Sequence, residues 1–296
     1  MRTLRLLLFC TLCAGGTLQA GTIVQFRSAL GDLKVELYDD EKPITVTNFL
    51  RYATSGAYAG GFFHRVVHDV EIPGVPGIQV IQGGAFGIAN QGTANARFVT
   101  FPTLPPIANE FAVGPLLPNV KGTIAMAKTS DPNSATSQYF FNLKDNAALD
   151  SPANSGGFTV FGHVVSGWQT LANWNSFRAV QPPATNLIVN AGSSVLSELP
   201  VYQLQPNGAG SYIITFGDLV YVDITLLDVE VKRRGDGAAE IHWSPLANRT
   251  NTVEFTAEFP PKWQVLSNVP PAKPATAIVV DPVVDPNRFY RVRATY

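Results

Sequence analysis

The pattern of apolar and polar positions predicts a chain that is mainly β. Strict alternation at residues 33–37 predicts a half-buried strand, paired in a hairpin with a strand at 23–27. Further strands are predicted at 62–67, 78–82, 123–127, 138–143 and 159–165, with long turn-rich segments at 85–117 and 145–157. Many strands with few helices favour a closed barrel capped at its ends, because closure removes exposed sheet edges.

Two helices interrupt this pattern. Pro43 is suited to the first turn of a helix and Gly56 to its end. Between them one apolar stripe recurs at helical spacing (Val46, Phe49, Leu50 and Ala53). A second, shorter helix is predicted around Trp168, Leu171 and Ala172. These two helices are the predicted caps of the barrel.

The texture changes in the last third of the chain. Residues 178–218 are rich in Pro, Asn, Gly and Ser, and a strong strand at 219–226 could close the barrel. Five short strands then follow, at 229–233, 238–243, 252–259, 277–280 and 289–294. With Trp243 and Tyr290 as anchors, this part resembles a small β-sandwich of the fibronectin type III kind.

The first twenty residues are typical of a secretory signal peptide. Arg2 and Arg5 precede a short apolar stretch at 6–14, and Ala20 is a small residue suited to cleavage. The alternative is a retained membrane anchor, although the stretch is short for a bilayer. The predicted division is therefore a signal peptide at 1–20, a barrel at 22–228 and a small β module at 229–296. The cleaved protein would be periplasmic or extracellular, without stable membrane insertion.

Composition excludes several classes of function. The 296 residues are 46% hydrophobic and carry a net charge of −1, which provides no electrostatic basis for binding nucleic acid. Both cysteines, Cys10 and Cys13, lie in the predicted signal, so thiolate catalysis and disulfides are excluded after cleavage. His64 and His68 are four residues apart, but no third ligand accompanies them, so no metal site is predicted.

The strongest chemical signal is a set of ordered motifs. They are Phe-Phe-His-Arg at 62–65, Gln-Gly-Gly at 82–84, the run 122–128 and Ser-Gln-Tyr-Phe-Phe at 137–141. The set combines one arginine, two glutamines and aromatics, with neither an acid–base pair nor a nucleophile–base pair. Such a site suits a reaction that breaks no covalent bond.

Rotation about a prolyl peptide bond is such a reaction. Its barrier of about 18–20 kcal/mol comes from amide resonance. A catalyst can favour the twisted amide with a donor aimed at the nitrogen and an apolar pocket for the proline ring. No cofactor is needed.

Arg65 is the candidate donor, because its guanidinium is always charged and offers five N–H groups. In an otherwise apolar strand it is either functional or salt-bridged. Gln82 and Phe140 are each unremarkable alone. Gln138 lies two residues before Phe140 and so shares its strand face, which makes the pair more informative.

These motifs, in this order, resemble the cyclophilin family of peptidyl-prolyl cis–trans isomerases over about residues 22–228, and residues 127–129 and 134–137 are most similar to bacterial exported members. The resemblance implies that Arg65 is the catalytic arginine and that Gln82 and Gln138 position the substrate. It implies that Val80, Phe140 and Leu149 line the proline pocket. It also implies that the backbone of Ala127 and Lys128 pairs with the peptide, and that His64 is structural.

Three departures from the family pattern accompany this resemblance. The loop at 68–77 is longer than usual, and Ile78 or Gln79 stands where the family has a phenylalanine. Ala148 replaces an aromatic residue, often tryptophan, that the family links to cyclosporin binding. We therefore expect weak cyclosporin binding.

The leading hypothesis is an exported isomerase that acts on proline-containing peptides and unfolded exported proteins. One alternative is a non-catalytic peptide-binding or scaffold protein that retains the barrel, favoured by the enlarged loop and the missing aromatic residues. A further alternative assigns the main role to the C-terminal module, as a surface or adhesion unit.

Overall fold

The computed structural model describes residues 22–68, 77–179, 185–206, 212–226, 229–243, 250–258, 262–270, 277–283, 285 and 287–295. The predicted signal peptide at 1–20 and most of the enlarged loop at 68–77 lie outside these residues. Within them, no helix is long and apolar enough to cross a membrane.

Two α-helices and twenty strands are present in the described residues. The helices are α1 (Pro43–Ser55) and α2 (Trp168–Trp174). The strands are β1 (Ile23–Ser28), β2 (Gly31–Leu37), β3 (Arg65–His68), β4 (Gln79–Gly83), β5 (Phe86–Ala89), β6 (Arg97–Thr100), β7 (Thr123–Met126), β8 (Tyr139–Asn142), β9 (Val160–Ser166), β10 (Thr185–Val189), β11 (Leu199–Gln203), β12 (Gln205–Pro206), β13 (Tyr212–Ile213), β14 (Val222–Leu226), β15 (Val229–Arg233), β16 (Ala239–Trp243), β17 (Thr250–Thr256), β18 (Gln264–Val269), β19 (Ala277–Asp281) and β20 (Phe289–Thr295).

Eight of these strands form one curled sheet in the order β14-β1-β2-β9-β7-β8-β4-β3. The hairpin of β1 and β2 pairs Val24 with Val35 and Phe26 with Leu33, as the alternation predicted. Those four side chains are buried in the main core together with Phe49, Phe141, Phe161 and Trp174. The strand predicted at 219–226 begins at Val222 and pairs with β1.

The two ends of this sheet approach each other near residues 61–63. Phe62 forms an isolated antiparallel bridge with Tyr221, and the Phe63 N–H donates to the Val220 carbonyl at 3.0 Å. The Phe62 N–H instead faces the Phe86 carbonyl at 3.4 Å. Because consecutive residues bond to different segments, β3 begins at Arg65 rather than at the predicted residue 62.

Helix α1 begins and ends where the sequence predicted. Gly56 adopts a left-handed conformation with φ of 76°, and its N–H donates to the Tyr52 carbonyl. Of the predicted stripe, Val46 and Phe49 are buried. Leu50 and Ala53 are only partly buried, and Tyr52 takes a place in the core that the stripe did not include.

Besides the pair of two-residue strands β12 and β13, two hairpins lie in segments predicted only as turn-rich. β5 pairs with β6, and β10 pairs with β11, both antiparallel. Side chains of the β10–β11 hairpin belong to a buried apolar cluster (Phe62, Ile88, Leu187, Leu199, Val201 and Leu219). We call residues 185–203 the accessory hairpin.

The five strands predicted after residue 228 are present, and β18 was missed. They form two antiparallel sheets in the orders β15-β16-β19 and β18-β17-β20. One buried cluster is drawn from both sheets (Ala239, Ile241, Trp243, Val253 and Ala277). The predicted anchors are placed within it: Trp243 is buried, and the Tyr290 hydroxyl donates to Asp281 Oδ2 at 3.0 Å.

Candidate active site

Arg65, Gln82, Phe140 and Ala125 form a single row across four strands. The ladder pairs Arg65 with Gln82, Gln82 with Phe140, and Phe140 with Ala125. Residues directly opposite each other in an antiparallel ladder place their side chains on the same face. The fold therefore puts the predicted donor, a predicted positioning group and the predicted pocket floor on one face of the sheet.

An apolar cluster continues this row on the same side of the sheet. It consists of buried side chains from five strands and one short helix (Val67, Val80, Ala125, Phe140, Leu149 and Val160). The predicted pocket residues Val80, Phe140 and Leu149 all belong to it, and Ala127 packs against it. Ile78, one of the two residues at the position where the family pattern has a phenylalanine, also packs against it.

The two glutamines are bonded to each other. Gln82 Nε2 donates to Gln138 Oε1 at 2.8 Å, and both side chains are half-buried. Gly84, the second glycine after Gln82, has a φ of 85°. A Cβ at this position would collide with the Ser137 carbonyl oxygen. The glycine thus allows the end of β4 to approach the backbone that carries Gln138.

Ala127 and Lys128 border the cluster. The Ala127 N–H donates to the Gln138 carbonyl at 2.9 Å, so substrate pairing at this residue would have to use its carbonyl. Lys128 Nζ donates to the Ser155 carbonyl and lies 4.0 Å from the centre of the Phe158 ring. Phe158 in turn meets Phe140 edge-on, and burial lowers the pKa of Lys128.

A buried amide network holds Leu149 against the cluster. Asn146, three residues earlier, accepts from the Gln79 N–H at 2.9 Å and donates to the Gln79 carbonyl and to Asn142 Oδ1. Asn142 donates to Asn119 Oδ1, and Asn119 donates to Asp150 Oδ1. Because these buried amides bond to one another, to Asp150 and to the Gln79 backbone, the short helix Ala147–Asp150 is fixed to β4 and β8.

Arg65 also makes an ion pair, with a partner that the sequence did not predict. Its Nε lies 2.6 Å from Oε2 of Glu198, just before β11, and the two side chains are 44% and 36% exposed. The sequence left a functional and a salt-bridged arginine as alternatives, and the structure shows both an ion pair and alignment with the predicted site. The apolar alternation at Leu187, Val189, Leu199 and Val201 is the signal that could have predicted these strands.

His64 is buried beside this row without entering it. Burial, then the neighbouring Arg65 charge, lowers the pKa of His64 to about 4, with a smaller opposing effect from Gln138. Its ring meets Phe86 edge-on, and it is neutral at neutral pH. Among the residues that the structure describes, no group of three or more His, Cys, Asp and Glu side chains could hold a metal ion.

Known proteins share this sequence pattern. The family model of cyclophilin type peptidyl-prolyl cis-trans isomerases matches residues 23–192. A peptidyl-prolyl cis-trans isomerase of Acinetobacter baylyi is 38% identical over 148 residues, covering 50% of this chain and 69% of that protein. One of Streptomyces antibioticus is 42% identical over 147 residues, covering 49% of this chain and 77% of that protein.

A solved structure, a Cryptosporidium parvum cyclophilin type peptidyl-prolyl cis-trans isomerase, covers 70% of this chain and 98% of its own. Its identity to this chain is 20% and its TM-score 0.41. The family match spans more than half of the chain and includes Arg65, Gln82, Gln138, Phe140 and Leu149. The chain therefore belongs to the cyclophilin-type peptidyl-prolyl cis–trans isomerase family, and it is an isomerase of X–Pro peptide bonds.

Proposed function

We propose that an extended peptide binds along the row from Arg65 to Ala125, with its proline ring against Phe140 and its prolyl nitrogen facing Arg65. The observation that carries this proposal is the cross-strand register, which aligns Arg65, Gln82 and Phe140 on one face. As the amide twists, resonance is lost and the nitrogen lone pair becomes available to a donor. A guanidinium N–H aimed there stabilises the twisted state more than either planar state.

The remaining groups have supporting roles in this proposal. Val80 and Leu149 form the walls of the proline site beside Phe140. The bonded side chains of Gln82 and Gln138 contact the peptide backbone on either side of the proline. The Ala127 carbonyl and the Lys128 backbone, next to this pair, extend that contact along the peptide.

A protease-coupled assay with a proline tetrapeptide tests the proposal. Phe140→Ala removes the floor of the proline site, so we expect kcat/KM to fall at least tenfold, mainly through a higher KM. Phe98→Ala removes an aromatic ring that is 42% exposed and outside the cluster, and should leave kcat/KM within about twofold. Peptide binding without any rate enhancement by the unmodified protein would instead support a scaffold role.

We extend the proposal to the architecture. The Phe62–Tyr221 bridge and the hydrogen bond from Val222 N to the Gly61 carbonyl support a barrel that closes between the ends of the sheet. The two sheets after residue 228 share one core, which supports a small fibronectin type III-like sandwich. We accordingly assign residues 22–228 to the isomerase domain and 229–296 to the sandwich.

We also propose that the protein is exported and acts on unfolded exported proteins that contain proline. The basic start, the short apolar stretch and the small residue at Ala20 support export. The exposed location of Arg65 supports access for extended chains. Periplasm and extracellular medium both fit this proposal.

Weak binding of cyclosporin is a further expected result. Ala148 is half-buried next to Leu149 and has no aromatic ring to contact the drug. We expect inhibition of the isomerase only at micromolar concentrations or above, and tighter inhibition of Ala148→Trp in the same assay. Nanomolar inhibition of the unmodified protein would contradict this expectation.

A further inference from the structure

We infer that Glu198 is a positioning residue for Arg65, supplied by the accessory hairpin. This inference rests on the proposed function, because it assigns Glu198 a role through the arginine that meets the prolyl nitrogen. The family match ends at residue 192, so Glu198 lies beyond the segment that the family model describes. This chain thus supports its catalytic arginine with a residue outside that match.

The contact is made by both the side chain and the backbone of Glu198. Its Oε2 accepts from Arg65 Nε at 2.6 Å. Its carbonyl accepts from the N–H of Val66, the residue after Arg65, at 2.8 Å. The backbone bond holds the two chain segments together. It therefore keeps the Glu198 carboxylate closer to the arginine than an unrestrained surface side chain would be.

The accessory hairpin is itself held firmly. Leu199, which follows Glu198, is buried, as are Val201 on the same strand and Leu187 on the paired strand. They pack against Phe62, in the segment leading into β3, and against Ile88 of β5. The apolar core of the hairpin therefore extends to within one residue of the carboxylate.

The geometry favours positioning over blocking. Nε is one of five N–H groups on the guanidinium, so four remain for other partners. The Arg65 side chain is 44% exposed, which leaves it accessible to a peptide. An arginine loses rotamer freedom when it binds in one orientation, and an acceptor at Nε removes part of that freedom before the substrate arrives.

The Glu198 carboxylate also partly neutralises the charge of Arg65, and this effect by itself would weaken catalysis. The prolyl nitrogen develops a lone pair rather than a full charge, so repulsion from a carboxylate on the far side of the guanidinium is small. Arg65 and Glu198 are both partly exposed, so solvent weakens this repulsion further. We therefore expect the gain from orientation to exceed the loss of positive charge.

The test compares Glu198→Ala, Glu198→Gln and the control Ser197→Ala in the full chain. With an uncharged proline tetrapeptide, Glu198→Ala should lower kcat/KM by about threefold to fivefold, the scale of an exposed ion pair, with most of the loss in kcat. Glu198→Gln keeps an acceptor oxygen and should recover part of the loss. Ser197 is exposed in the same segment, and its substitution should change nothing.

A second readout separates positioning from loss of structure. The Nε–Hε signal of Arg65, assigned by its absence in Arg65→Lys, should shift in Glu198→Ala while the backbone amide spectrum stays the same away from residues 62–68 and 185–203. Because Glu198 acts through Arg65, the double variant Arg65→Ala/Glu198→Ala should be no slower than Arg65→Ala alone.

Each outcome has a distinct meaning. Unchanged or increased kcat/KM in Glu198→Ala, with Arg65→Ala strongly impaired, overturns this inference and leaves the proposed function standing. An equal loss on substituting Glu198 in the Arg65→Ala background also overturns it, since the effect would then be independent of the arginine. Full activity of Arg65→Ala would overturn the proposed function itself.

Discussion

Arg65→Ala is expected to lower kcat/KM for X–Pro isomerisation by about 100-fold, the scale on which one preorganised donor contributes to catalysis. The loss should appear mainly in kcat, because the proposed hydrogen bond strengthens only as the amide twists. The measurement is the protease-coupled assay with a proline tetrapeptide, with the uncatalysed rate subtracted.

Two further variants sharpen this test. Arg65→Lys keeps the charge but loses the planar fork, so it should recover only a small part of the activity. Arg51→Ala removes an exposed arginine of α1, outside the row and its cluster, and should behave like the unmodified protein. If Arg65→Ala retains activity within a few-fold of the unmodified protein, the guanidinium does not carry the reaction.

Glu110→Ala should destabilise the protein strongly, lowering the free energy of unfolding by about 3 kcal/mol. Its buried carboxylate accepts from the N–H groups of Ile44 and Thr45 at 3.1 and 2.7 Å, and from the Thr45 hydroxyl. These are donors at the start of α1, which has no side-chain cap from Lys42 at its N-cap position. Without the carboxylate these donors lose their acceptor, and Thr45 is buried, so its donors are shielded from water as well.

Lys42 joins the start of α1 to the segment that carries Glu110, and its contacts add to the cost of removing the Glu110 carboxylate. Its Nζ donates to the carbonyls of Glu110, Val113 and Pro115 at 2.8, 2.6 and 3.0 Å, although only 1% of the residue is exposed. Burial lowers its pKa, and the charge of Glu110 opposes that shift. Removal of the Glu110 carboxylate therefore also takes a negative charge away from a buried ammonium group.

Urea unfolding followed by tryptophan fluorescence measures this effect, since Trp174 is fully buried in the main core. Glu41→Ala is the matched control, because Glu41 is an exposed acid just before the same helix, and its loss should cost less than about 0.5 kcal/mol. Equal stability of the two variants would show that the donors of α1 find other partners.

Local pattern predicted the regular elements well. The β1–β2 hairpin follows from alternation at 33–37, and α1 follows from Pro43, an apolar stripe and Gly56. The eight-residue strand expected at 219–226 was shortened, because its first residues bridge to other segments. Pattern alone does not show which neighbour a backbone group will bond.

The prediction of the site residues depended less on knowing which segments would pair. Gln138 and Phe140 share a face because they are two apart in a strand, and this depends on local geometry alone. The contact between Gln82 and Gln138 joins residues 56 positions apart. The resemblance implied a shared site for them, and only the pairing of β4 with β8 shows the bond. The catalytic and binding roles of these residues remain predictions.

The sequence by itself determined that the chain is strand-rich and where α1 begins and ends, and it predicted that the chemistry belongs to an arginine, two glutamines and an aromatic ring. These features depend on neighbours within a few residues or on motifs that keep their order. Tertiary structure alone decided that Ile78 packs against the apolar cluster and that Glu198 meets Arg65 across 133 positions of chain. Such contacts arise from the packing of distant apolar clusters, and no local pattern encodes which polar side chain that packing brings to the site.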